Sequence, residues 1–207
     1  MIEGLKPLYN NIIRPIAHIA IRLRLHPNVL TFTGVAFFGS AGWYAYIGKW
    51  YLSILLATCG AIMDGLDGLI ARENNQMSVF GGILDSTCDR LTEILWIAGI
   101  AAFYIRTGHQ TSIAILLSIA ALTGANLVSY VKARVESEGI ACNTGLLQRP
   151  ERIILTAFFL LIGPKAMVWG LGLITVLSYI TVIQRLYVAY QETNHSKQIM
   201  AHRQKNA

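Results

Sequence analysis

Charge is what this chain of 207 residues has least of: 14% of its residues are charged and 54% are hydrophobic, with a mean hydropathy of +0.50. Soluble domains carry about 25% charged residues, so a water-soluble globular domain is excluded. Cysteine is almost missing as well. Cys59, Cys88 and Cys142 have no motif spacing, which argues against a disulfide framework or a zinc site. The apolar runs do not alternate, as the strands of a membrane β-barrel would. The first 25 residues lack a clean apolar core and an A-x-A-like cleavage site, so no cleavable signal peptide is expected. No internal repeat or low-complexity stretch is present. What remains is a single all-α integral membrane domain spanning 1–207.

Six apolar segments follow one another, at about 29–48, 51–72, 79–105, 110–133, 151–163 and 165–190. Most exceed the ~20 residues needed to span a bilayer. The fifth is short, and its boundary rests on Gly163-Pro164. Ahead of them, "YNNIIRPIAHIAIRLR" (9–24) repeats Ile12, Ile16, Ile19 and Leu23 at helical spacing, with Arg14, His18 and Arg22 on another face. This predicts an amphipathic helix lying in the membrane interface. The expected organisation is therefore an interfacial helix within 1–27, a six-helix transmembrane core over 28–190 and a solvated tail over 191–207. "HPN" (26–28) breaks the first helix, with Asn28 expected to cap the next.

Lysine and arginine orient the bundle. Thirteen of the 17 fall on one side, three (Lys49, Arg106 and Lys165) on the other, and Arg90 within the third segment. The richer side is expected to be cytoplasmic, with both termini there, in the cytoplasmic membrane. Topology then accounts for the net charge of +6, and no nucleic-acid partner is needed.

Aspartate is rarer still. Asp64, Asp67, Asp85 and Asp89 are the only four, and all lie within 26 residues. Asp64 and Asp67 share one face of the second segment, Asp85 and Asp89 one face of the third. Counted from the loop between the segments, Asp67 and Asp85 match in depth, as do Asp64 and Asp89. Two rungs of carboxylates are expected, at roughly 8 and 13 Å from the edge. Gly65, Gly68, Gly81 and Gly82 would let the two helices approach. Carboxylates gathered in a low dielectric repel, which protonation or bound cations would relieve. Oxygen-only ligands favour hard ions such as Mg²⁺ or Mn²⁺. Two such ions suit displacement at phosphorus, with Arg72 one turn beyond Gly68 to add charge to a phosphate. A cation or proton transporter would use similar carboxylates.

Read in full, "DGLDGLIARENNQMSVFGGILDSTCD" (64–89) is D-x2-D-G-x2-A-R-x8-G-x3-D-x3-D. It resembles the signature of the CDP-alcohol phosphatidyltransferase family, and "PNVLTFTG" (27–34) with six spans extends the likeness along the chain. The resemblance implies transfer of a phosphatidyl group from CDP-diacylglycerol, or a similar CDP-lipid, to the hydroxyl of a polar alcohol, with release of CMP. It implies two divalent cations, Mg²⁺ or Mn²⁺, on Asp64, Asp67, Asp85 and Asp89. Asp89 would also be the general base. Gly68, Ala71, Arg72 and Ser78 would bind the CDP-lipid. Membrane lipids as surroundings and a homodimer are implied too.

The motif speaks for the donor and leaves the acceptor open. "SYVKARVESEG" (129–139), "NTGLLQRPER" (143–152) and "VIQR" (182–185), together with "LDSTCDR", resemble the subgroup that makes phosphatidylinositol phosphate. They place Lys132, Arg134, Arg149, Arg152 and Arg185 at the cytoplasmic mouth, where basic groups would hold a phosphorylated polyol; Lys132, Arg149, Arg152 and Arg185 are the expected acceptor-binding residues. Inositol phosphate is the expected acceptor and glycerol 3-phosphate the alternative. In the glycerophosphate subgroup a proline usually follows the third aspartate, where this chain has Ser86. Glu93, one turn beyond Asp89, is expected to pair with Arg90 or another helix, or to orient the site.

Overall fold

The computed structural model describes residues 27–73, 77–109 and 111–205, with side chains up to residue 194. The expected interfacial helix at 9–24 lies outside the described residues. Six helices account for nearly all of what is described, and among these residues there is no strand. They are α1 (Pro27–Tyr46), α2 (Trp50–Glu73), α3 (Val79–Thr107), α4 (Thr111–Ser137), α5 (Arg149–Ile162) and α6 (Pro164–Lys205). The apolar segments read from the sequence coincide with them to within a few residues, except at the end of α6, which runs 15 residues past 190. Trp50–Glu73, Thr111–Ser137 and Pro164–Asn194 are long and apolar enough to cross a membrane.

Local chemistry sets the ends. α1 begins at Pro27, whose fixed φ suits a first helical position. Asn28 therefore sits inside the first turn and is not the cap expected of it. Ser78 caps α3: its backbone is extended and its hydroxyl accepts the Gly81 N–H at 3.0 Å. Gly108 closes α3 in the left-handed conformation. Gly163, at φ +127°, separates α5 from α6, so the Gly163-Pro164 break is real. The 14 residues of α5 rise only about 21 Å, short of the ~30 Å of a hydrocarbon core. α6 runs on without a break through 191–205, so the expected tail is a helical extension in its backbone.

α1 packs against both α2 and α3, α4 against α6, and α5 against α6 and α2. The two aspartate-bearing helices, α2 and α3, hardly touch each other. The glycines that bring backbones together are elsewhere. A Cβ on Gly99 would run into the backbone of Gly42, and one on Gly42 into Leu95 O, so α3 lies directly on α1. Gly60 does the same for α1 and α2: a Cβ there would lie 2.7 Å from the Phe38 ring and 3.2 Å from Gly34 O. A polar knot joins all three: Trp96 Nε1 donates to Ser53 Oγ at 2.9 Å, and Ser53 Oγ donates to Ala41 O at 2.8 Å. Around it lie Phe38, Ala45, Ala57 and Ile100, all buried. Large apolar side chains such as Trp43, Leu116 and Trp169 face outward. Cys59, Cys88 and Cys142 are free thiols.

Candidate active site

α1 acts as a spacer, and the gap it keeps between α2 and α3 is the site. Gly68, Ala71 and Arg72 of α2 face Ser78 and Gly82 of the α3 start across a cavity of about 510 Å³. Asp67, Asp85 and Thr31 complete its wall. All four residues expected to bind the CDP-lipid thus line one space. The glycines of the motif work differently from the expectation of close helix packing. A Cβ on Gly82 would meet nothing within 4 Å, and one on Gly68 only the Arg72 guanidinium. They leave room for a ligand. Ser78 also has the structural duty of capping α3.

The carboxylates partly follow the two-rung expectation. Asp67 and Asp85 share the first cavity, and Asp64 and Asp89 share a cation, Arg149. Its Nη1 lies 2.6 Å from Asp64 Oδ2 and 2.7 Å from Asp89 Oδ1, and its Nη2 donates to Thr92 Oγ1 at 3.0 Å. Among the described residues, the carboxylate oxygens that come within 4.8 Å of one another belong to Asp64, Asp85 and Asp89. Asp67 stands apart from that trio. Buried on α2, it accepts a short hydrogen bond from the Thr31 hydroxyl of α1. An all-oxygen trio at this spacing suits a hard divalent cation. The Arg149 guanidinium, a positive group held between two of the three, marks the place as one built for positive charge.

Beyond the trio lies a second cavity, of about 320 Å³. Asp89, Lys132, Arg149, Arg152 and Arg185 all line it, so basic residues from three separate sequence segments converge beside one carboxylate, while Arg134 stays outside it, paired with Glu138 on the surface. Their partners differ. Lys132 is half open and pairs with Glu136 at 3.7 Å. Arg185 is buried, donating to Thr144 O at 2.9 Å and Val128 O at 2.5 Å. Arg152 is buried too, and pairs with Glu93. Glu93 therefore reaches across to α5 and not to Arg90. The loop before α5 is fixed by Thr181 Oγ1, which accepts the Leu147 N–H at 3.0 Å. Gly145 there, at φ +142°, passes so close to Thr181 that a Cβ would lie 2.6 Å from its methyl group.

Sequence reasoning missed Thr31 and Thr92. Thr31 falls in the "PNVLTFTG" stretch, and that was its one signal. Nothing marked Thr92.

The family model described as CDP-alcohol phosphatidyltransferase matches residues 24–196. An archaetidylinositol phosphate synthase of Methanothermobacter thermautotrophicus is 36% identical over 197 residues, covering 92% of this chain and 95% of the relative. The crystal structure of Mycobacterium tuberculosis phosphatidylinositol phosphate synthase with CDP-DAG bound superposes with a TM-score of 0.78 at 29% identity, covering 87% of this chain and 94% of that one. The same enzyme in complex with manganese and citrate gives a TM-score of 0.77 at 28% identity, over 86% of this chain and 88% of that one. With the aspartate signature, the two cavities that meet at it and a family match over most of its length, the chain belongs to the CDP-alcohol phosphatidyltransferases.

Proposed function

We propose that this protein is a membrane enzyme that transfers a phosphatidyl group from CDP-diacylglycerol to inositol phosphate and releases CMP. The observation that carries this reading is the pair of cavities on either side of one carboxylate trio. The first, lined by Gly68, Ala71, Arg72 and Ser78, takes the CDP-lipid. The second, lined by Lys132, Arg149, Arg152 and Arg185 and also by Arg90, takes a phosphorylated polyol. The Mycobacterium tuberculosis neighbour is named a phosphatidylinositol phosphate synthase and is solved with CDP-DAG, while the Methanothermobacter relative is named for an archaetidyl lipid, and both names share the inositol phosphate part.

Asp64, Asp85 and Asp89, with Asp67 beside them, would hold two divalent cations, Mg²⁺ or Mn²⁺, which would supply positive charge to the pyrophosphate. The chain's own residues do the rest. Asp89 borders the acceptor cavity and takes the proton from the acceptor hydroxyl. The acceptor oxygen bonds to the lipid-bearing phosphorus, the bond to the CMP oxygen breaks, and CMP leaves. Arg72 holds nucleotide phosphate. Lys132, Arg149, Arg152 and Arg185 orient the acceptor, so that catalysis is largely positioning. Glycerol 3-phosphate also carries a phosphate that a basic cavity would hold, which is why it is tested beside inositol phosphate.

The same reading places six spans and the interfacial helix in the cytoplasmic membrane, with the site and both termini facing the cytoplasm. Arg72, Lys132, Arg149, Arg152 and Arg185 gather at the carboxylate end, as the excess of lysine and arginine requires. At the opposite end Arg106 stacks on the Tyr46 ring, 5.0 Å from its centroid. A homodimer belongs to the reading through the family likeness alone.

The test is purified protein given CDP-diacylglycerol, Mg²⁺ or Mn²⁺, and inositol phosphate, glycerol 3-phosphate, inositol or serine, with the lipid product identified by mass. Phosphatidylinositol phosphate and an equal amount of CMP are expected. A lipid made faster from glycerol 3-phosphate would overturn the choice of acceptor, and no CMP from any alcohol would overturn the reaction.

A further inference from the structure

Arg152 lies on the first turn of α5 with its side chain only 2% exposed. A guanidinium has five N–H groups in a rigid plane. Here Nε donates to Glu93 Oε1 at 2.6 Å and Nη2 to Glu93 Oε2 at 2.9 Å. The pair is side-on and bidentate, the geometry that fixes a guanidinium plane most firmly. One Nη1 hydrogen leans on Leu147 O at 3.4 Å. By count two hydrogens are then left, one on each Nη, and the two Nη atoms form the edge of the fork away from Nε. Two parallel N–H groups at that spacing match two oxygens of one phosphate. Arg152 lines the second cavity, while Glu93 does not. Glu93 instead lines a small space behind, beside Trp96 and Thr156.

We infer that Glu93 is a positioning residue for the acceptor: it fixes the Arg152 guanidinium so that its outer edge is offered to the acceptor's phosphate. The inference rests on the acceptor reading above. Glu93 has no contact with acceptor in this arrangement and acts through Arg152. Its place on α3, one turn beyond Asp89, ties the direction of the phosphate grip to the helix that carries the base. The acceptor is thereby anchored by its phosphate at a set distance from Asp89, which selects which hydroxyl is presented. A mere strut between α3 and α5 would instead make Glu93 matter to both substrates alike.

The experiment measures KM for inositol phosphate and for CDP-diacylglycerol in wild type, Glu93→Gln, Glu93→Asp, Arg152→Ala and the double variant Glu93→Gln/Arg152→Ala. Gln keeps the shape but turns an N–H₂ toward the guanidinium. Glu93→Gln is expected to raise the acceptor KM by about tenfold, equivalent to one good hydrogen bond, with donor KM and kcat within about twofold. Glu93→Asp, which keeps both oxygens on a shorter stem, should fall between. In the double variant the acceptor KM should be no higher than in Arg152→Ala alone, because the hydrogen bonds Glu93 accepts both come from Arg152. An unchanged acceptor KM in Glu93→Gln, equal losses for donor and acceptor, or multiplying losses in the double variant would overturn it. If Glu93→Gln does not fold, Glu93→Asp with a wild-type acceptor KM does so as well. A wild type that consumes only unphosphorylated alcohols sinks the acceptor reading and this inference together. A wild type that consumes inositol phosphate while Glu93→Gln behaves normally sinks the inference alone.

Discussion

Replacing Arg149 with alanine is expected to tighten Mn²⁺ binding while it weakens use of the acceptor. Arg149 Nη1 sits 2.6 Å from Asp64 Oδ2 and 2.7 Å from Asp89 Oδ1, so a divalent cation on the trio and this guanidinium would draw on the same two carboxylates. Each charge-assisted hydrogen bond contributes about 1.5–3 kcal/mol. Thr92 accepts from Nη2 at 3.0 Å and holds the guanidinium in place as it competes. Removing a competitor for one such bond gives roughly a ten- to hundredfold gain in affinity, at 1.4 kcal/mol per decade. The assay is Mn²⁺ titration of purified protein without nucleotide or acceptor, followed by electron paramagnetic resonance of the free ion or by calorimetry. Arg149→Lys, a cation without the fork, should lie between. If Arg149→Ala binds Mn²⁺ no more tightly than wild type, the guanidinium and the ion do not share ligands. The two-sided placement of Arg149, between trio and acceptor cavity, then has no bearing on metal binding.

Activity should need added Mg²⁺ or Mn²⁺ and disappear with chelator, as read by CMP release; full turnover in metal-free buffer would remove cations from the mechanism. Asp89→Asn should abolish turnover while CDP-diacylglycerol binding persists, because Asn keeps the shape and cannot accept the proton; equilibrium binding of the donor beside a rate assay checks this. Lys132→Ala should raise the acceptor KM by about tenfold and leave the donor KM nearly unchanged, in line with one charge-assisted bond. Gly99→Ala should lower thermal stability steeply, since its Cβ would enter the Gly42 backbone, whereas Gly82→Ala, with nothing within 4 Å, should melt like wild type.

Much of this was legible in order along the chain. Hydropathy located the helices because each is a continuous apolar run, and the glycine-proline pair at 163 and 164 marked the one short break. The aspartate signature located the site because its spacing puts two pairs of carboxylates on two helical faces. Partners distant in sequence were not legible. Arg149 meets Asp64 across 85 positions, and Thr31 meets Asp67 across 36. Neither pairing has a local pattern. The glycines show the same limit from another side. Small residues at 65, 68, 81 and 82 read as packing surfaces, yet a glycine can mean either a close neighbour or an open space. Only the position of α1, packed on α3 through Gly42 and Gly99 and on α2 through Gly60, decides for open space at 68 and 82. Basic residues near the cytoplasmic edge were found for the same reason that they were ambiguous, since topology alone would place lysine and arginine there.

The knot between Ser53, Trp96 and Ala41 has a bearing on chemistry it never touches. Ser53 and Asp64 are 11 positions apart on α2, and so are Asp85 and Trp96 on α3. Eleven residues make about three turns and 20°, and rise roughly 16 Å. The faces joined at the knot are therefore nearly the faces that carry the carboxylates. A slip of either helix by one residue would turn its aspartates through about 100° and leave the Trp96 N–H without an acceptor in dry surroundings, where water offers no substitute. One indole–hydroxyl bond serves as an index mark, and the alignment of the four acids is calibrated from the far end of their own helices.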